Sequence, residues 1–174
     1  YWLVWCLTLP LALLGPQGLG NLFRVVLPGL GRPWWLGLSF LVIPLLLGFG
    51  YALPRGLRTG PDWRIIAASL AIALVNGTLE EVLWRGAYVS LFPDEWLLAL
   101  IYPAIGFGVW HFAPQSVFPN RAPGGNLSLV VVATFLGLLW GWVAYASGSI
   151  AWAVVSHVLF DFSGLGGRVY FARR

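Results

Sequence analysis

The chain has 174 residues, 59% of them hydrophobic and 9% charged, with a mean hydropathy of +0.82. A soluble domain is about 25% charged, so the composition excludes one and calls for a polytopic membrane protein: an all-α bundle of about six hydrophobic segments. The formal charge of +4 comes from ten arginines without a lysine. They sit singly between apolar runs, which argues for an orientation signal and against a nucleic-acid surface.

The length suits one transmembrane helical domain over 1–174. The single Cys6 rules out an internal disulfide and a cysteine metal cluster. It lies in an apolar run far from either histidine, a poor setting for a nucleophile. The chain has no Met and opens inside a hydrophobic run, so its natural start is expected further upstream. Arginine without lysine also points to a prokaryote with a GC-rich genome.

Tyr1 to Leu14 reads as the tail of a span. Gly15 to Pro33, with many Gly and Pro, reads as a loop, with room for a short interfacial helix around Leu22 to Leu27. Trp34 to Leu53 is a span opened by an interfacial tryptophan pair. Ile65 to Phe92 exceeds the roughly 20 residues a span needs, so it tilts, kinks near Gly77 or projects from the bilayer. Pro93-Asp94-Glu95 is a turn in which Asp94 is placed to cap the next helix. Trp96 to Phe112 follows, with a kink expected at Pro103 and Gly106. Leu127 to Ala146 carries Gly137 and Gly141 in a spacing that marks close helix packing. Ile150 to Phe162 is a last, shorter span.

With six segments, one side receives Arg55, Arg58, Arg64, Arg121, Arg168, Arg173 and Arg174, and the other Arg24 and Arg32. That imbalance puts the first side, and the C-terminus, in the cytoplasm.

The sharpest feature is Asn76-Gly-Thr-Leu-Glu80-Glu81-Val-Leu-Trp-Arg85, three charges inside an apolar run. Each costs about 2.5–3.5 kcal/mol at the bilayer centre on insertion scales, so each needs a partner or a purpose. Glu81 and Arg85 are four apart on one helix face and can pair. Glu80 lies about 100° round the helix from Glu81, which leaves it free of that pair. Both histidines, His111 and His157, also fall in spans, and His157 shares a face with Asp161. With the three helices measured from their non-cytoplasmic ends, Glu80, His111, His157 and Asp161 lie about 18, 22, 12 and 18 Å deep. They occupy one slab, somewhat toward the cytoplasmic side.

Such a set suits hydrolysis. A free carboxylate can act as general base on water, a neutral histidine can share that water's protons, and a second can donate to an oxyanion. Each residue also has a structural reading. Glu81 with Arg85 favours a structural ion pair, His111 alone or His157 with Asp161 can tie helices together, and Phe107 and the tryptophans can simply pack.

Glu80-Glu81-x-x-x-Arg85, Phe107-x-x-x-His111 and His157-x-x-x-Asp161, in that order in successive spans, resemble the CPBP family of intramembrane proteases. That family includes type II CAAX prenyl endopeptidases and bacteriocin-processing or self-immunity relatives. The resemblance covers a protease-like core of about 65–162. It implies that Glu80 and His111 activate water, that His157 and Asp161 stabilise the oxyanion, and that Glu81 and Arg85 support the site. Many members carry Asn where this chain has Asp161; an ionised carboxylate would repel an oxyanion, so Asp161 is either protonated or orients His157. The expected mechanism is metal-independent, with Zn2+ on Glu80, His111 and His157 as the alternative. The expected partners are membrane lipid and a protein or peptide substrate, with prenylation left open. A non-proteolytic immunity or binding protein on the same scaffold, and a proton relay or transporter, are the competing functions.

Overall fold

The computed structural model describes residues 1–25, 29–120 and 124–171. Five helices are long and apolar enough to cross a membrane: α1 Trp2–Asn21, α2 Trp34–Leu57, α3 Trp63–Leu91, α4 Leu97–Val117 and α5 Gly125–Ser147. The shorter apolar helix α6, Ala151–Ser163, completes a polytopic bundle, and one turn, α7 Arg168–Phe171, follows it. Large side chains such as Trp5, Leu46, Val109 and Val131 are exposed around the outside. In a bundle bathed in lipid this outer surface loses nothing by remaining apolar.

Two helix pairings dominate the interior, α4 with α5 and α3 with α6. Small residues allow both. A Cβ on Gly137 would lie 3.2 Å from the Ala104 backbone, and one on Gly141 would lie 2.7 Å from Leu100 Cδ1. The expected close packing of this glycine pair is therefore against α4. On α3, a Cβ at Gly77 would lie 2.9 Å from the Val158 backbone nitrogen. Gly77 thus brings α3 onto α6 one turn before the two glutamates. Trp140 of α5 is fully buried in the main core cluster, with Phe107, Leu136 and Val143.

Several local expectations change. The first helix does not stop at Leu14: α1 runs to Asn21, bending at Gly15, where φ is +68° and only glycine is at ease. Pro16 then sits in the first turn of the second half, where its missing N–H is not needed. Val26 and Leu27, part of the short interfacial helix expected there, lie outside the described residues, as do Arg121, Arg173 and Arg174 of the arginine count. Gly77 lies within the regular helical turns Trp63–Glu81 rather than at a kink; the irregular stretch is Val82–Ala87, which widens to π-helical geometry. In α4 the turns Leu97–Ile101, just before Pro103, widen to π-helical geometry, and a second interruption falls at His111, between Tyr102–Trp110 and Phe112–Val117. Asp94 makes no side-chain cap on that helix. The aspartate that caps is Asp62, whose Oδ1 accepts the Ile65 N–H at 3.0 Å and starts α3.

Candidate active site

The α3–α6 seam seals one glutamate. Glu81 is fully buried, and its Oε1 lies 3.2 Å from Arg85 Nη1. The same oxygen is 2.8 Å from His157 Nδ1. A carboxylate oxygen only accepts, so Nδ1 carries its proton toward Glu81. Arg85 is 1% exposed, and its guanidinium sits 4.3 Å from the centre of the Phe107 ring, a cation–π contact that offsets part of the cost of burial. The ion pair read from the i,i+4 spacing is present, and it extends to a histidine that the spacing did not reveal.

Glu80 has different surroundings. It is 3% exposed and takes no part in the Arg85 pair. Its Oε1 accepts the Tyr1 hydroxyl at 3.1 Å, and its Oε2 accepts the Asn76 side-chain amide at 3.0 Å. His157 Nε2 stands 3.7 Å from Oε2 and 3.5 Å from Asp161 Oδ1. Both separations exceed the roughly 2.7–3.2 Å of an N–H···O hydrogen bond. Nε2 is therefore flanked by two carboxylates at ion-pair distance and is the ring nitrogen of His157 turned to the Glu80 side. Asn76 also donates to Asp161 Oδ2 at 2.9 Å, tying α3 to α6 across the site.

His111 closes the arrangement from α4. Its Nδ1 is 2.7 Å from the Phe107 carbonyl, which only accepts, so Nδ1 holds the proton and Nε2 keeps its lone pair. The Phe107 ring meets both imidazoles edge-on, His111 at 4.8 Å and His157 at 5.8 Å between centroids. Trp140 stacks on His157 at 4.1 Å and 14°. Its indole donates to Ser156 Oγ, which donates in turn to the Leu41 carbonyl. Phe107 and Trp140 do pack, and their packing fixes both rings.

A cavity of about 560 Å³ opens onto this group, lined by Tyr1, Trp2, Asn76, Glu80, Trp110 and His111 among others. A smaller one of about 120 Å³ borders His111, His157 and Asp161. Glu80, His157 and Asp161 thus meet directly, and His111 shares one cavity wall with Glu80 and another with His157. Zinc on Glu80, His111 and His157 would need three converging ligands. Among the described residues no group of three His, Cys, Asp or Glu side chains is placed to hold a metal ion.

A family model described as type II CAAX prenyl endopeptidase Rce1-like matches residues 62–163, more than half of the chain. The chain belongs to the Rce1-like family. Membership makes it an integral membrane protein of a membrane-protease family, with a protein or peptide in the membrane as substrate. No curated protein and no solved structure matches the chain. All six residues singled out from the sequence lie within the Rce1-like match. Tyr1 and Trp2 lie outside it and still reach the site. Asn76, Trp84 and Trp140 lie inside it; the sequence shows Asn76 only as part of the charged stretch, and both tryptophans read there as lipid-facing or packing residues. An uncharged amide four residues before Glu80, on its own face of α3, was the signal available for Asn76.

Proposed function

We propose that this chain is an intramembrane endopeptidase of the glutamate type, in which Glu80 and His111 activate a water for attack on a peptide bond. The observation that carries the reading is Glu80 itself: buried, outside the Arg85 pair, 3.7 Å from His157 Nε2, and on the wall of a cavity it shares with His111.

The water hydrogen-bonds to the Glu80 carboxylate and to the His111 Nε2 lone pair. As its oxygen bonds to the substrate carbonyl carbon, its proton passes to Glu80. The carbonyl oxygen becomes an oxyanion facing His157, which takes part as the imidazolium among the carboxylates of Glu80, Glu81 and Asp161, so that its Nε2–H donates to the oxyanion. When the C–N bond breaks, Glu80 returns the proton to the leaving amine. Glu81 accepts from Nδ1 and so holds the charged His157 ring in the orientation this requires, and Arg85 balances Glu81. Asp161 accepts from Asn76 and faces His157; it orients the donor rather than donating to the oxyanion. No step needs a metal.

The substrate on this reading is a membrane-associated protein or peptide. The arginine distribution supports a cytoplasmic C-terminus and a site toward the cytoplasmic side, and the use of arginine without lysine supports a prokaryotic plasma membrane. The test uses a quenched fluorescent peptide ending in a CAAX sequence, farnesylated and unmodified, with the wild type and Glu80→Gln in proteoliposomes. Wild-type cleavage lost in Glu80→Gln is expected, and the two peptides decide whether the prenyl group is needed. Cleavage that survives Glu80→Gln overturns the mechanism. A wild type that cleaves neither peptide moves the scaffold toward an immunity or binding role.

A further inference from the structure

We infer that Tyr1 and Trp2, at the start of α1 and outside the stretch 62–163 that carries the family match, complete the active site by fixing both oxygens of the Glu80 carboxylate, Tyr1 directly and Trp2 through Asn76 of α3. This rests on the reading of Glu80 as the base. An indole N–H donates and never accepts. Trp84 Nε1 is 2.9 Å from the Tyr1 hydroxyl oxygen, so that oxygen is the acceptor there. The Tyr1 proton is thereby directed to Glu80 Oε1, 3.1 Å away.

The second oxygen is held by the same logic. Trp2 Nε1 is 2.8 Å from Asn76 Oδ1, which fixes the amide with its NH2 on the opposite side. Those two hydrogens go to Glu80 Oε2 and Asp161 Oδ2. Each Glu80 oxygen thus receives one donor, and each donor is oriented by a tryptophan that cannot reverse it. A carboxylate's last torsion is otherwise broad and roughly two-fold. With both oxygens held, the remaining lone pairs keep one direction relative to the cavity.

The clamp stands on fixed ground. The Tyr1 ring stacks on Trp110 at 4.1 Å and 17°. Past the other end of α1, the Leu22 carbonyl accepts the Ile150 N–H at 2.9 Å and the Ser149 hydroxyl at 3.0 Å. The Leu22 side chain fits over Gly86, where a Cβ would lie 2.5 Å from its Cδ1. The α1 segment is therefore tied to α3 near both ends. Tyr1, Trp84, Trp2 and Asn76 act as positioning residues, since they reach the reaction through Glu80.

The experiment compares Tyr1→Phe, Trp84→Phe and the double variant in the full chain, with the same CAAX peptides and a thermal-unfolding control. Tyr1→Phe keeps the stack on Trp110 and should lower kcat roughly tenfold with KM unchanged, the scale of one hydrogen bond to a charged group. Trp84→Phe should lower kcat less, because the hydroxyl remains but is free to turn. The double variant should be no slower than Tyr1→Phe, because the two act in series. Wild-type kcat in Tyr1→Phe, a change confined to KM, or losses that multiply would overturn the clamp. A second measurement needs no substrate: labelling of Glu80 by dicyclohexylcarbodiimide, mapped by mass spectrometry, should be several-fold faster in Tyr1→Phe. Equal labelling also overturns it. If Glu80→Gln is inactive while Tyr1→Phe is normal, the clamp alone fails; if Glu80→Gln still cleaves, the catalytic reading itself fails.

Discussion

Glu80 and Glu81 are neighbours in sequence and almost equally buried, yet they belong to two different regions. Glu81 points into the α3–α6 seam, where Gly77 meets Val158 and a cation and an imidazole take up its Oε1. Glu80 points into the cleft between α1, α3 and α4, where neutral donors hold it at the edge of a cavity. A helix turns about 100° per residue, so one dipeptide serves a sealed wall and an open one. Burial alone therefore does not decide whether a membrane carboxylate is structural or reactive; what balances its charge does.

The sealed side breaks most visibly at Arg85. Arg85→Met leaves Glu81 buried without its cation and should cost about 3–5 kcal/mol, read as a lower unfolding temperature in detergent. Gly77→Val forces α3 from α6 and should cost about 1–3 kcal/mol. Because the same shift moves His157 from Glu80, turnover should fall in Gly77→Val by more than the stability loss explains. Trp140→Phe keeps an aromatic face on His157 but removes the donor to Ser156; about 1 kcal/mol is expected, with turnover largely retained. At the small end, a zinc chelator should leave the cleavage rate unchanged, since the open side needs no metal in this account. A rate abolished by the chelator and restored by zinc would reopen the zinc alternative.

The spans and the three motifs were legible because ionisable residues stand out in an apolar background. Depth along three helices put Glu80, His111, His157 and Asp161 in one slab. It could not supply rotation, so the partner of Glu81 across the seam, His157, stayed hidden. The continuation of α1 was lost because Gly15 and Pro16 read as a break; here a left-handed glycine bends the helix and a first-turn proline restarts it. Asp94 resembled a cap by position, but the capping hydrogen bond belongs to Asp62. Trp84 and Trp140 were ambiguous because membrane tryptophans face lipid, pack or donate according to surroundings that a sequence does not display.

The most direct test is a paired one, Glu80→Gln beside Glu81→Gln, each measured for peptide cleavage and unfolding temperature in the same detergent. The account predicts that Glu80→Gln loses cleavage by a factor on the order of 10²–10⁴ while unfolding near the wild-type temperature. Glu81→Gln should lose stability as well as cleavage, because Arg85 is left buried without its counter-charge. Cleavage retained in Glu80→Gln, or two variants that unfold alike, would contradict the division between an open carboxylate and a sealed one.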